Sequence, residues 1–229
     1  ENRQKIINNQ LQNIEAQNIH SFCLKYYHNT SCRDDKGLKL ILKNDTKPLK
    51  SFNYDVIVMD ECQDLDSLKF RILKKIIQDN KKGKDAKIVL LGDKNQAIFG
   101  FLGADRRYLT KGHILLSDIS NRPFEVNKLS KSFRLSKEIT DAINFVIGEE
   151  RIFSDKVTGI KPKYHILDVY RDIPYILNRI INLYDSGCDN IYILAPSVKN
   201  RISPIRMLEN SLKRTRPDIN IFVIDRDVQ

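Results

Sequence analysis

Two short apolar runs that both end in acid constrain this chain most. The first is YDVIVM, residues 54–59, followed at once by Asp60 and Glu61, with Gln63 and Asp64 close behind. The second is KIVLL, residues 87–91, followed by Gly92 and Asp93. Each is short, rich in β-branched residues, and reads as a buried strand. Between them Leu65, Leu68, Ile72 and Ile76 recur at spacings of three and four. That spacing predicts an amphipathic helix over 65–80, broken by NKKGKD. Strand, helix and strand in that order predict a parallel pair with a crossover, and so an α/β fold. In such sheets ligands gather beyond the carboxyl ends of the strands, where both acid groups fall.

The pattern restarts after NRPF at 121–124. Ser136 is expected to cap a helix whose core face is Ile139, Ala142, Ile143 and Val146. Residues 172–185 carry Ile173, Ile176, Leu177, Ile180, Ile181 and Tyr184, with Asp172 before them and Gly187 after. A strand is expected at 190–195, a helix opened by Ser203-Pro204 and running through Leu208 and Leu212, and a last strand at 220–225. The reading is of two α/β units, 1–124 and 125–229.

Composition narrows the partners. Of 229 residues, 41% are hydrophobic and 30% charged, as in ordinary globular chains, and no apolar run approaches the roughly 18 residues of a membrane-spanning helix. The opening ENRQKIINNQ lacks the apolar core of a signal peptide and an initiator Met, so the chain is expected to be a piece of a longer one. A net charge of +10 favours a polyanionic partner such as nucleic acid. Cys23, Cys32, Cys62 and Cys188 form no C-x-x-C pair, so no zinc site is signalled. They are expected to be free thiols in a reducing intracellular compartment, cytoplasm or nucleus.

An Asp at a strand end can hold Mg²⁺, a hard cation that keeps several of its waters. A neighbouring Glu can orient or deprotonate an attacking water. On Asp60-Glu61 alone, a solvated acidic loop is the commoner explanation. Longer stretches change that balance. DECQD at 60–64 resembles motif II of superfamily 1 helicases of the UvrD/Rep/PcrA type, and LLGDKNQAIFGFLGAD at 90–105 resembles their motif III. LSKSFRLSKEITDAIN at 129–144 resembles motif IV, and IHSFC at 19–23 is similar to motif Ib. The four lie in the family's order and cover roughly residues 18–146.

The resemblance implies two RecA-like parallel-sheet units: most of a first motor domain over 1–124 and the beginning of a second over 125–229. It implies ATP and Mg²⁺ as cofactors. Asp60 would hold the metal and Glu61 would be the catalytic base. Gln63 and Gln96 would sense the nucleotide, with Asp93 beside them. Arg134 would reach the γ-phosphate as an arginine finger, its planar fork matching phosphate oxygens. Phe133 would stack near the adenine. Phe99 and Phe101 would stack on bases, and His20 and Ser21 would contact DNA.

The departures are specific. No G-x-x-x-x-G-K-[ST] loop occurs in these residues, and motifs V and VI are not reached. Leu102 stands where the family usually has an arginine. Only residues 24–59 lie between Cys23 and Asp60, too few for the 1B insertion of larger relatives. The implied function is a central part of an ATP-dependent translocase acting on single-stranded and junction DNA, with RNA left open and no membrane partner. The 229 residues alone are expected to be inactive. The alternative is a helicase-like module that binds DNA or protein without hydrolysis. A metal-dependent nuclease using Asp60, Glu61 and Asp93 leaves Gln96, Phe133 and Arg134 without a role.

Overall fold

The computed structural model describes residues 13–27, 34–188, 190–195 and 202–224. The chain divides into two compact units, Glu1–Lys128 and Leu129–Gln229.

In the first unit, Asn18 accepts the Ser21 N–H and opens helix α1, Ile19–Tyr26. Asp34 accepts from Lys36 and Gly37 and opens α2, Asp35–Lys43. Strand β1 follows at Val56–Met59, then α3 at Ser67–Asp79 with Asp66 as its N-cap, then β2 at Lys87–Leu90. The two strands pair in parallel, from Val56 opposite Lys87 to Met59 opposite Leu90. The predicted crossover is therefore present, and the unit is α/β. Two short helices, α4 (Arg107–Thr110) and α5 (Gly112–Leu115), close the unit.

Helix α3 is the centre of this unit because it is apolar on two faces. Ile72 and Ile76 join Cys23, Tyr26, Tyr27, Leu38, Ile41 and Phe52 in one core. Phe70, Leu73 and Ile77 join Cys62, Leu65, Leu116 and Ile119 in a second, with Ile57, Met59, Ile88 and Leu90 of the sheet packed against it. Of the residues at three-and-four spacing, Leu68, Ile72 and Ile76 mark the first face, while Leu65, ahead of the helix, joins the second core. The sheet also departs from expectation. Ile57 and Met59 face the second core, but Val56 and Val58 remain 49% and 56% exposed. The described elements cover the pair on one side, whereas parallel sheets usually bury both.

Polar locks fix the joints. Asn80, just past α3, accepts the Tyr54 N–H and donates to the Tyr54 carbonyl, both at 2.8 Å. This reciprocal pair sets where the chain enters β1. The buried Lys75 ammonium bonds Asp45 at 2.6 Å and Asp79 at 3.1 Å, and Tyr27 donates to Asp79 at 2.9 Å.

In the second unit, Ser136 stands at the N-cap of α6, Lys137–Ile147, which ends on Gly148 at φ +77°. Helix α7 spans Ile173–Asp185 and α8 spans Pro204–Thr215, with the Ser203 hydroxyl accepting from Arg206. Ile173, Leu177, Ile180, Leu208, Leu212 and Ile219 form their shared core. The α6 core face is corrected: Thr140 is its buried position, while Ile139 and Val146 are exposed. The cause is local. Residues 130–132 bridge to Phe153, and the Asn144 carboxamide bonds the backbone of Arg151 and Ile152, so the flanking loop wraps the Thr140–Asn144 side.

The expected strands at 190–195 and 220–225 carry no described ladder bonds, and Tyr192, Leu194 and Phe222 are exposed; Asp225 lies outside the described residues. A strand needs a partner, and none is paired to these segments among the described residues. No described helix is long and apolar enough to cross a membrane.

Two outcomes follow. Ile77→Ala, at a fully buried position, is expected to lower stability by about 2–5 kcal/mol, whereas exposed Phe145→Ala should change it by less than about 0.5 kcal/mol. Denaturant unfolding reads both. Separately, the Lys75 and Lys47 ammonium groups hold the Asp45 carboxyl down at about 2, below its ordinary 3.8. A depressed folded pKa gives stability that is present above the unfolded value and is lost as pH falls through the folded one. Acid titration should show Asp45→Asn less stable at neutral pH, and with a smaller decline between pH 4 and 2.

Candidate active site

The strand ends are held together by a continuous run of hydrogen bonds. Beyond Met59 the ladder continues one step: Leu91 N–H donates to Met59 carbonyl at 2.8 Å, and Cys62 N–H to Leu91 carbonyl at 2.9 Å. Between those contacts the chain reverses at Glu61, which sits at φ +54° and ψ +42°. A non-glycine residue in that left-handed region costs about 1–3 kcal/mol and persists only where its surroundings impose it. Here they do. Asp60 Oδ1 accepts the Glu61 N–H at 3.0 Å, and a 3-10 turn over Cys62–Asp64 follows directly.

Gln63 is the buried member, 1% exposed. Its Nε2 donates to Glu61 Oε2 at 2.6 Å, and its Oε1 accepts the Asp93 N–H at 3.0 Å. Asp93 in turn accepts from Asn95 N–H at 2.8 Å and from Gln96 Nε2 at 3.1 Å, which fixes the 3-10 turn Lys94–Gln96. Glu61, Gln63, Asp93 and Gln96, four residues singled out from sequence, are thus one bonded set. Asp60, Glu61 and Gln96 face solvent.

Gly92 makes the approach possible. A Cβ there would run into Gln63 Oε1 and stand 3.1 Å from both Cys62 N and Leu109 Cδ2. From sequence Gly92 is only the residue before Asp93. Its signal is a glycine where a strand meets acid, which often marks close backbone approach. Asp64 gains no role from sequence. Burial first, then the Glu61 charge, raises its carboxyl above the ordinary value. Burial likewise pushes the Cys62 thiol up to about 12.

After the Lys94–Gln96 turn the loop exposes apolar surface. Phe99 is half-buried and Phe101 is 77% exposed, their rings 6.4 Å apart and tilted by 45°. Ile98 and Leu102 beside them are exposed as well. His20 Nε2 lies 3.2 Å from Asp35 Oδ1, and Ser21 donates its N–H to Asn18. No described hydrogen bond joins either residue to the strand-end set.

Phe133 and Arg134 belong to the second unit, in the bend before α6. Both are exposed, and the Lys131 ammonium lies 5.4 Å from the centre of the Phe133 ring.

Carboxylates are the right donors for a hard divalent cation. Among the described residues no group of three or more His, Cys, Asp or Glu could hold a metal by itself. Mg²⁺ does not need such a cage, because it is commonly held by one or two carboxylates together with substrate phosphates and water. Asp60, exposed at the end of β1, fits that demand.

These features define a class: an α/β module with acid and amide groups at the carboxyl ends of parallel strands. Residues 38–113 match the family model described as the UvrD/REP helicase N-terminal domain. RecB, a component of the RecBCD enzyme of Haemophilus influenzae, is 37% identical over 93 residues, covering 41% of this chain and 7% of that protein. The ATP-dependent DNA helicase srs2 of Schizosaccharomyces pombe is 23% identical over 186 residues, covering 79% of this chain and 20% of that protein. A component of an ATP-dependent helicase/nuclease from Listeria monocytogenes is 29% identical over 115 residues, covering 48% of this chain and 9% of that protein. These similarities are to UvrD-type helicases, the family its motifs resemble, and the chain spans a fifth or less of each of these relatives.

Burial predicts a reactivity order. At pH 8 a thiol with a pKa near 12 is thiolate in on the order of one molecule in ten thousand. Iodoacetamide is expected to label exposed Cys188 in the native chain and Cys62 only after unfolding. Peptide mass mapping reads both.

Proposed function

We propose that this chain is the part of an ATP-dependent DNA translocase that carries the acidic side of its nucleotide site. The observation that carries the proposal is the bonded set Glu61–Gln63–Asp93–Gln96 at two parallel strand ends, within a stretch matched by the UvrD/REP family. Bound MgATP would supply the scissile phosphoanhydride and the metal charge that neutralises its phosphates. Asp60 would hold the metal, Glu61 would take the proton of the attacking water, and Gln96 would orient the terminal phosphate. The two units act as RecA-like halves, with Arg134 delivering its guanidinium to the phosphate and Phe133 flanking the base. Phe99 and Phe101 offer π-faces to single-stranded DNA, a sequence-tolerant contact suited to movement along a strand. His20 and Ser21 add contacts to the same strand.

Supporting this reading are the relatives named as ATP-dependent helicases and the chain's net charge of +10. A second reading, a helicase-like module that binds without hydrolysis, is favoured by one observation: no phosphate-cradling G-x-x-x-x-G-K-[ST] loop occurs in these 229 residues. Hydrolysis separates the two. In the intact protein, DNA-stimulated ATPase activity is expected, and Glu61→Gln should lower it by about 100-fold or more while MgATP still binds. Asp60→Ala should weaken MgATP binding itself. DNA-stimulated turnover that survives Glu61→Gln at the wild-type rate contradicts the base assignment. Absence of any ATPase in the intact wild-type protein favours the binding module. The 229-residue chain alone is expected to show no ATPase, since it brings no phosphate-cradling loop.

The stacking role has its own readout. Phe101→Ala is expected to weaken single-stranded DNA binding by about 1–3 kcal/mol, with little change in the slope of affinity against salt, because no phosphate contact is lost. Fluorescence anisotropy over a salt series measures both. An unchanged affinity removes Phe101 from the DNA contact.

A further inference from the structure

Gln63 is placed where it cannot be an ordinary surface amide. It is buried, and both ends of its carboxamide are engaged inside the protein. One end donates to the Glu61 carboxylate on the β1 side. The other accepts the Asp93 N–H on the β2 side. A side chain that does both must be neutral and must carry a donor and an acceptor at the reach of a glutamine. Glutamate in its place would keep an acceptor for Asp93 but set a second negative charge against Glu61. Methionine would fill the space and supply neither bond.

The seat around it is built to the same shape. Gly92 leaves room where any Cβ would strike Gln63 Oε1. The strand ladder beside it, Leu91 to Met59 and Cys62 to Leu91, holds the two strand ends in one register. Glu61 is held in the left-handed region, so its side-chain direction is set by its contacts and not by a relaxed backbone. Among the described residues, the Gln63 bond is the hydrogen bond that reaches its carboxylate.

We infer that Gln63 is a positioning residue that works from beneath the site. It aims the Glu61 carboxylate and ties it to the Asp93 loop, so that acid from β1 and amide from β2 address the substrate as one rigid unit. Through Asp93, which accepts the Gln96 amide, the same strut fixes Gln96. The inference rests on the ATP-hydrolysis reading of the site, and the test keeps the two apart.

In the intact protein, steady-state and single-turnover ATP hydrolysis are measured for Gln63→Met, Gln63→Glu, Glu61→Gln and the Glu61→Gln/Gln63→Met double variant. Backbone amide exchange at Asp93 is read in parallel. Gln63→Met is expected to lower kcat by roughly 10–100-fold, with KM for ATP within about twofold, and to speed exchange at Asp93. Gln63→Glu keeps the Asp93 acceptor, so exchange there stays slow while kcat still falls. It is the deciding variant should Gln63→Met fail to fold. Because Gln63 acts through Glu61 as well as through Asp93 to Gln96, the double variant should lose clearly less single-turnover rate than the product of the two single losses. A Gln63→Glu protein with wild-type kcat overturns the positioning role while leaving the hydrolysis reading intact. So does a double variant whose losses multiply. Wild-type turnover in Glu61→Gln overturns both.

Discussion

One buried carboxamide connects the two strand ends of this protein. Gln63 donates to Glu61 and accepts from Asp93, and those bonds exist only because β1 and β2 run parallel in a fixed register. A slip by one residue would turn every side chain of a strand to the other face. Ile57 and Met59 would leave the core, and Gln63 would lose sight of Asp93. The site therefore depends on the register, and the register depends on the packing of one sheet face against α3.

That packing explains why the crossover helix has two apolar faces. One face builds a core with α1, α2 and an aromatic group in which Phe22 lies 5.2 Å from Phe52 edge-on and Tyr26 5.0 Å from Phe52. The other supports the sheet. Asn80 then joins the far end of α3 to the start of β1 through its reciprocal bonds with Tyr54. A helix wedged between two cores and bonded at its exit transmits little slack to the strand ends. This is the physical requirement for a site whose groups must hold geometry within fractions of an ångström.

Much of this is legible in the residues. Short β-branched runs ending in acid announce β1 and β2, and the helix between them starts within two residues and ends within one of where its periodicity puts it. Asp60, Glu61, Asp93 and Gln96 stand out because the stretches that hold them, 60–64 and 90–105, resemble helicase motifs II and III; acid at a strand end alone reads more simply as a solvated loop. The second face of α3 is hidden because Phe70, Leu73 and Ile77 form their own stripe beside the first. Gly92 is hidden because its need arises from a neighbour 29 positions earlier, Gln63, which no local pattern encodes. In the second unit α7 is clear from its periodicity between Asp172 and Gly187, and α8 from its Ser203-Pro204 start. The α6 face is not, because a wrapping loop and not helical spacing decides that Thr140 is the buried position. The apolar runs at 190–195 and 220–224 have strand composition, but composition does not supply a pairing partner.

The strand ends are proposed to form a metal–nucleotide site held from beneath by Gln63. The most direct test is a crystal structure of the intact protein with a non-hydrolysable ATP analogue and Mn²⁺ in place of Mg²⁺, located by anomalous scattering. A manganese peak is expected within about 2–2.5 Å of an Asp60 oxygen, or one water further away. The terminal phosphate is expected to face Glu61 and Gln96, with the Gln63 bonds to Glu61 and Asp93 unchanged. A nucleotide and metal bound elsewhere, with Asp60 and Glu61 facing bulk solvent, would contradict that proposal.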